Sequence, residues 1–150
     1  MDISITLTGR LGGEVELKST RAGVPMASFR LGSTPRIRRD DVWVDGSTTW
    51  ISVVCYRGLA ENVALSLNKG DPVIVEGRLR TTTWTDPNGD RHERLVVEAS
   101  AIGHDLTWGT SLYRRPQRRL EAVDPSESAD LAEAAPALES GDLVPAGSRA

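Results

Sequence analysis

Two arginines, a threonine and a tryptophan recur at every second position of one extended stretch, where together they could bind an anionic ligand with flat rings. The first half of residues 73–86 alternates in polarity, and a strand places residues two apart on the same face. One face therefore carries Arg78, Arg80, Thr82 and Trp84. Single-stranded nucleic acid offers phosphates to the cations and unpaired bases to the indole. The structural alternative is a solvated face with one aromatic side chain in a cross-strand pair.

Four more aromatic residues are candidates either for stacking or for packing. Trp50 and Tyr56 share one face of the strand predicted over residues 49–56, and either ring could stack on a base or fill the interior of a barrel. Trp43 lies in a polar segment, where DNA contact and packing between subunits are both open. Trp108 follows the last predicted strand and is typical of a clasp or an interface.

A polar segment, residues 35–48, interrupts the strand pattern and contains a cluster of basic residues. It predicts a long exposed loop or a loose hairpin, and long loops inside compact domains are often functional. Its arginines could contact phosphates, although the acids that follow could also neutralise them. The arginines are Arg36, Arg38 and Arg39, and the acids are Asp40, Asp41 and Asp45.

The hydrophobic pattern predicts the elements that would position these residues. Apolar residues four apart predict one helix over residues 58–69, with Lys69 in its last turn and Gly70 as its cap. Alternating residues predict strands over residues 3–8, 26–33, 49–56, 73–85 and 91–99, and the turn between the last two is residues 86–90.

Three strands, one helix and two strands is the order of an OB-fold, an all-β, five-stranded barrel with one helix between strands three and four. Small barrels of this kind bind oligonucleotides across one face and its loops. We expect Val15 and Leu17 to continue the first strand after a bend, and Leu95 to point inward with Val97 and Ala99. Residues 102–108 predict a short edge strand or clasp.

The charge of the chain divides unevenly between a domain and a tail. The net charge is −3 over 150 residues, but residues 1–119 hold seventeen Lys and Arg against fourteen Asp and Glu. Residues 120–150 hold seven acids against one arginine and contain no aromatic residue. We therefore predict a mildly basic domain over residues 1–110, followed over residues 111–150 by a basic linker and an acidic, Ala/Pro/Ser-rich disordered tail.

Cysteine usage and motif spacing bear on location and on chemistry. The lone Cys55 and the lack of a secretory signal predict a cytoplasmic protein, and no apolar run is long enough to span a membrane. Cys55, His92 and His104 lack the spacing of a metal site, so no metal and no cofactor are expected. Without a nucleophile flanked by His and acid residues, an enzyme is not predicted.

Several motifs together resemble the bacterial single-stranded DNA-binding protein family, particularly its actinobacterial members. They occur in the family's order and cover about residues 1–110. The matching segments are LTGRL at 7–11, FRLGST at 29–34, TWISVVCYRGLAE at 49–61, LNKG at 67–70, VEGRLR at 75–80 and WTD at 84–86.

The resemblance implies a function and a set of binding residues. Trp50, Tyr56 and Trp84 match the family's base-stacking aromatics, Arg78 and Arg80 fall in its basic strand, and Lys69 matches a basic position after the helix. A further stacking aromatic is missing near Ile37, where arginines flank an isoleucine. The family implies a homotetramer, associated with the nucleoid, that binds and protects single-stranded DNA without sequence preference in replication, recombination or repair.

The end of the chain departs from the family's main replicative members. Those proteins finish in an acidic motif capped by Pro and Phe that recruits other proteins, whereas residues 142–150 are neither acidic nor aromatic. The resemblance thus implies a paralogue with a shortened or variant tail, for which recruitment of replication and repair proteins is not predicted. Two alternatives stay open: a protein-interaction module that pairs with another single-strand binder or a recombination factor, and an OB domain for RNA.

Overall fold

The computed structural model describes residues 1–117, and nine elements of secondary structure precede residue 105. Eight are strands and one is a helix. In chain order they are β1 (Ile3–Leu11), β2 (Glu16–Ser19), β3 (Pro25–Ser33), β4 (Arg36–Arg39), β5 (Val42–Asp45), β6 (Thr49–Tyr56), α1 (Arg57–Ser66), β7 (Pro72–Thr85) and β8 (Arg91–His104).

Five of these strands form a closed ring in the order β1, β7, β8, β6, β3. Every neighbouring pair is antiparallel except β6 and β8, which are parallel. The ring closes where β3 returns to β1, with Arg10 opposite Gly32 and Leu11 opposite Leu31. The helix connects the third strand of the ring in chain order to the fourth, so the predicted OB-fold is confirmed.

The core fills the ring with mostly aliphatic side chains, among which valine is the commonest. Alternation along each strand sends every second residue inward, and the fully buried residues include Leu31, Val53, Val73, Val75 and Val97. The inward positions predicted for Ala27, Phe29 and Leu31 on β3 are confirmed by their burial.

The helix ends earlier than its repeat predicts. Leu67, extended rather than helical, is buried in the core and donates its backbone N–H to Val63 O. Lys69 and Gly70 therefore lie beyond α1, in a turn closed by the bond from Asp71 N–H to Asn68 O. The prediction that Lys69 completes the last turn and Gly70 caps it is wrong, because the backbone becomes extended at Leu67 and then turns over residues 68–71.

The polar segment between β3 and β6 was predicted to be either a long exposed loop or a loose hairpin, and it is a hairpin. β4 and β5 pair in a separate two-stranded sheet whose last pair is Arg39 with Val42. The two-residue turn, Asp40 and Asp41, has φ of 48° and 63°, the left-handed conformation that tight hairpin turns need and that aspartate tolerates.

The hairpin of β7 and β8 extends well beyond the ring. β1 accompanies β7 only as far as Leu79, and β6 accompanies β8 only from Val96 to Glu98. Beyond these points β7 and β8 pair only with each other. Residues 80–95 therefore form an arm whose two faces are both open to solvent. Leu95 is 53% exposed for this reason, and the prediction that it points inward is wrong.

Two further segments differ from expectation at their ends. Val15 and Leu17 do not continue β1; the chain turns back, and β2 pairs with β3 with Leu17 exposed. Residues 102–104 belong to β8 rather than to a separate strand. Within residues 1–117, no helix is long and apolar enough to cross a membrane. The predicted acidic tail, residues 120–150, lies outside the described residues.

Burial of Cys55 makes stability depend on alkaline pH. Desolvation raises the pKa of this thiol from 9.0 to about 11, against a smaller opposite effect of a hydrogen bond with the Ala27 backbone. The unfolded chain releases the thiol proton at lower pH than the folded chain, so the contribution is complete below pH 9.0 and is lost as pH rises toward about 11.

Denaturant unfolding between pH 8 and 11 should therefore show wild-type stability falling more steeply than that of Cys55→Ala, in which this titration is absent. The variant shares every other titrating group and serves as the control. Parallel pH profiles of the two proteins would contradict the burial of a neutral thiol.

Candidate nucleic-acid interface

The outer face of four neighbouring strands brings most of the candidate residues together. One row of paired residues crosses it, from Arg80 on β7 through Val96 and Ser52 to Arg30 on β3. Trp50 lies one outward position from Ser52, toward the end of the ring from which the arm projects. Trp84 lies on the arm, on the face it shares with Arg80. Both tryptophans are therefore toward the same end of the face.

Trp50 packs against two glycines. A Cβ at Gly32 would come within 2.9 Å of the indole Cζ3, and one at Gly12 would overlap the same ring. The missing side chains allow the indole to rest directly on the backbone, while Trp50 remains 52% exposed. The two glycines thus hold the indole in place while about half of it stays open to solvent, as a stacking platform requires.

Trp84 is held by two residues of the opposing strand. His92 pairs directly with Trp84, and the two rings stack with centroids 5.4 Å apart and planes inclined by 23°. The Arg94 guanidinium carbon lies 5.7 Å from the centre of the same ring, a cation–π contact. Trp84 is still 45% exposed. His92 and Arg94 were not among the predicted residues, although counting back from the turn would have found them.

The turn at the tip of the arm also holds His92 in place. His92 Nε2 and Asp86 Oδ2 are 3.0 Å apart, so the ring donates a hydrogen bond to the carboxylate. That bond, with backbone donors from Asp90, Asn88 and Gly89, holds the pKa of Asp86 below its ordinary value. An anionic Asp86 therefore organises both the turn and the partner of Trp84.

Arg78 and Arg80 are exposed on the predicted face, but each already contacts an acid. Asp2 accepts both, with Arg78 Nη1 3.4 Å from Oδ2 and Arg80 Nη1 3.4 Å from Oδ1. Arg80 Nε also lies 3.5 Å from Glu98 Oε2. Exposed pairs of this kind contribute only ~0–1 kcal/mol to folding, so an incoming phosphate could replace the carboxylates.

Arg30 is a cation of this face that the prediction missed. Its Nη1 donates to Ser52 Oγ at 3.2 Å, which places the guanidinium between the positions of Trp50 and Tyr56. No carboxylate of residues 1–117 lies within 4.0 Å of its charged nitrogens. The signal was available in the sequence, because Arg30 alternates with the buried Phe29 and Leu31.

Tyr56 lies on the same outer face, at the far end of β6 from Trp50. Its cross-strand neighbour is Met26, and its side chain is half-buried. The next residue, Arg57, has a φ of 58°, so the chain turns sharply from β6 into α1. The structure thus separates Tyr56 from the two tryptophans along the strand instead of grouping all three aromatics.

The arginines of the β4–β5 hairpin differ in their partners. Arg36 lies 3.7 Å from Asp45, and Arg38 makes a close pair with Asp41 at 2.7 Å. Arg39 is exposed and has no carboxylate within 4.0 Å among residues 1–117. Arg36 and Trp50 line the same cavity, so this end of the hairpin adjoins the outer face.

Two candidates lie apart from the tryptophan end of the face. Lys69 is exposed in the turn between α1 and β7, where Arg10 Nη1 donates to the neighbouring Gly70 O at 3.0 Å. Trp43 is exposed on β5 opposite Arg38. Neither position groups these side chains with Trp50 and Trp84.

The arrangement suits binding through stacking and charge. It offers two open indoles at one end of a face, two arginines beside them that no described acid neutralises, and further arginines in loose exposed pairs. Among residues 1–117, no group of three His, Cys, Asp or Glu side chains is arranged to hold a metal ion.

Gly12→Ala should displace the Trp50 ring, because the new methyl group would overlap it. We expect a changed near-ultraviolet circular dichroism spectrum and a cost of ~1–3 kcal/mol in unfolding free energy. Gly13→Ala is the matched control, since a Cβ there meets nothing within 4 Å. Equal spectra for both variants would show that Trp50 does not rest on Gly12.

Comparison with known proteins places the chain in a family. Residues 3–105 match the model of the Single-strand binding protein family. The chain is 42% identical over 113 residues to Single-stranded DNA-binding protein 2 of Tropheryma whipplei, covering 74% of each chain. It is 38% identical over 119 residues to the Single-stranded DNA-binding protein of Corynebacterium glutamicum, covering 78% of this chain and 53% of that one.

A solved structure agrees with these sequences. The small single-stranded DNA-binding protein from Streptomyces coelicolor superimposes with a TM-score of 0.64 at 36% identity, over 72% of this chain and 98% of that chain. The match of the family model over most of the chain, together with these relatives, shows that the chain belongs to the single-strand binding protein family.

Proposed function

We propose that this protein binds and protects single-stranded DNA, without sequence preference, through the outer face of β3, β6, β8 and β7. The observation that carries the proposal is the pair of open indoles, Trp50 and Trp84, at one end of this face, with Arg30 and Arg94 beside them. Family membership and the names of the relatives support it. Residues 1–110 form the proposed binding domain.

Bases stack on the indoles, and phosphates contact the surrounding arginines. Arg30 and Arg94 contact phosphates without first breaking an ion pair, because neither has an acidic partner among the described residues. Arg78 and Arg80 exchange Asp2 for a phosphate when the strand binds. Tyr56 extends the path along β6, while Arg36, Arg38, Arg39 and Lys69 extend the positive field around it.

Stacking and counterion release explain why binding tolerates any sequence. Every base has a π-face, and each stacked base contributes ~1–3 kcal/mol as measured by alanine substitution. Paired bases in a duplex have no free face for an indole. Binding by these terms requires no catalysis, metal or cofactor.

The biological setting follows from the same proposal. A binder of this kind acts where single strands are exposed in replication, recombination and repair, in the cytoplasm with the nucleoid. Assembly as a homotetramer is part of the proposal, because the resemblance implies it and pairing between subunits would cover exposed strands.

Trp84→Ala should weaken binding to a fluorescein-labelled dT oligonucleotide about 5- to 150-fold, the equivalent of one lost stacking contact of ~1–3 kcal/mol. Fluorescence anisotropy measures the affinity. Leu95→Ala is the matched control: it lies on the opposite face of the same arm, is similarly exposed, and should bind as the wild type does.

Competition distinguishes the proposed ligand from its rivals. Unlabelled poly-dT should displace the oligonucleotide, whereas duplex DNA and folded RNA should not at equal nucleotide concentration. Preferential displacement by folded RNA would indicate an RNA-binding domain. Equal affinity of Trp84→Ala and the wild type would remove the arm from the binding site.

A further inference from the structure

A cavity beside Trp50 has a second tryptophan in its lining. It has a volume of about 480 Å³, within the ~300–1,000 Å³ typical of ligand pockets. The cavity lies between the closing ends of β1 and β3, the start of the β4–β5 hairpin and the segment that follows β8. Its side chains include Trp50, Trp108, Arg10, Arg36, Asp45 and Asp105.

Trp108 lies in a turn that several hydrogen bonds hold in place. Asp105 donates its backbone N–H to Pro72 O at 2.9 Å, which fastens the turn to β7. Its carboxylate accepts the Thr107 N–H at 3.0 Å, and its carbonyl accepts the Trp108 N–H at 3.2 Å. The Thr107 hydrogen bonds, with the charge of Arg10, hold the pKa of Asp105 below its ordinary value.

Arg10 contacts the Trp108 ring directly. Its guanidinium carbon lies 5.2 Å from the ring centre, and its Nη1 is anchored on Gly70 O at 3.0 Å. The ring is nevertheless 63% exposed. Trp108 is therefore an oriented aromatic ring that stays largely exposed in the single chain.

The charges around the cavity favour a nucleotide over a bare anion. Two arginines and two aspartates line it, so their formal charges cancel, and the two indoles supply its most distinctive surface. Arg36 is the cation that a ligand can most readily reach. Its separation from Asp45, 3.7 Å, is the longest of the ion pairs in residues 1–117.

We propose that this cavity binds one nucleotide of the single strand, its base contacting Trp108 and Trp50 and its phosphate contacting Arg36. This inference rests on the proposed function and extends it, because it adds Trp108 and the turn after β8 to the binding path. Trp50 then serves both the outer face and the cavity, and the strand runs from the arm across Trp50 toward the β1–β3 closure.

Substitution of Trp108 tests this site in the full chain. Trp108→Ala should bind a labelled dT oligonucleotide about 5- to 150-fold more weakly than the wild type, and Trp108→Phe should retain most of the affinity. Leu106→Ala is the control, since Leu106 is in the same turn, is also 63% exposed and does not line the cavity. Wild-type affinity in Trp108→Ala would overturn the proposal.

A second measurement reads the contact itself. With Trp43 and Trp84 each replaced by Phe, Trp50 and Trp108 are the remaining tryptophans, and dT oligonucleotide should quench more emission than it does when Trp108 is also replaced by Phe. Equal quenching in the two variants, while anisotropy of the labelled oligonucleotide reports binding, would overturn the cavity site and leave the proposed function intact. Failure of the wild type to bind dT would instead overturn the proposed function, and the cavity site with it.

Discussion

The pairing of β7 with β8 is the constraint on which the rest of the structure depends. Their pairing runs from Val73 opposite His104 to Thr85 opposite Arg91. The half within the ring and the half in the arm have different roles. The lower half places Val75 and Val97 in the core. The upper half leaves the ring and carries Trp84 into solvent. A slip of one residue would exchange the faces, so the same pairing determines both stability and the binding surface.

A shift in that register occurs between Glu76 and Gly77. A Cβ on the buried Gly77 would overlap the Glu98 carbonyl and come within 2.8 Å of Ala99 Cα, so the strands approach closely only because the side chain is missing. Glycine serves the same physical purpose beneath Trp50. A missing side chain lets two strands approach closely at Gly77, and it lets the indole of Trp50 approach the backbone at Gly12 and Gly32.

Exposed ion pairs orient the arginines of the outer face but contribute little to the free energy of unfolding. Asp2 is 76 residues from Arg78 in sequence but holds it, with Arg80, on the outer face. Such exposed pairs are weak, so the arginines remain oriented and available for exchange. Two other arginines are held by neutral acceptors: Ser52 Oγ accepts from Arg30, and the Gly70 carbonyl accepts from Arg10, which lies over Trp108.

Sequence predicted what depends on local pattern. Alternation identified β1, β3 and β6 and the face that Trp50 shares with Tyr56, because period-two burial is a local signal. Prediction from sequence failed where burial or conformation depends on residues that are distant in sequence. Leu95 alternates correctly but has no third strand beside it, and Lys69 follows an apolar repeat that leaves the helix at Leu67, where the backbone becomes extended. His92, Arg94 and Asp2 required the cross-strand register, and Gly12 resembled a simple bend because the ring above it comes from another strand.

In the proposed binding mode, open indoles and exchangeable arginines bind single strands by stacking and counterion release. Titration of the intrinsic tryptophan fluorescence with poly-dT and with duplex DNA, at low and high salt, tests it most directly. Strong quenching by poly-dT alone is expected, with log K falling against log salt by ~0.7 per phosphate contact. Absence of quenching at low salt, or equal quenching by the duplex, would contradict this binding mode.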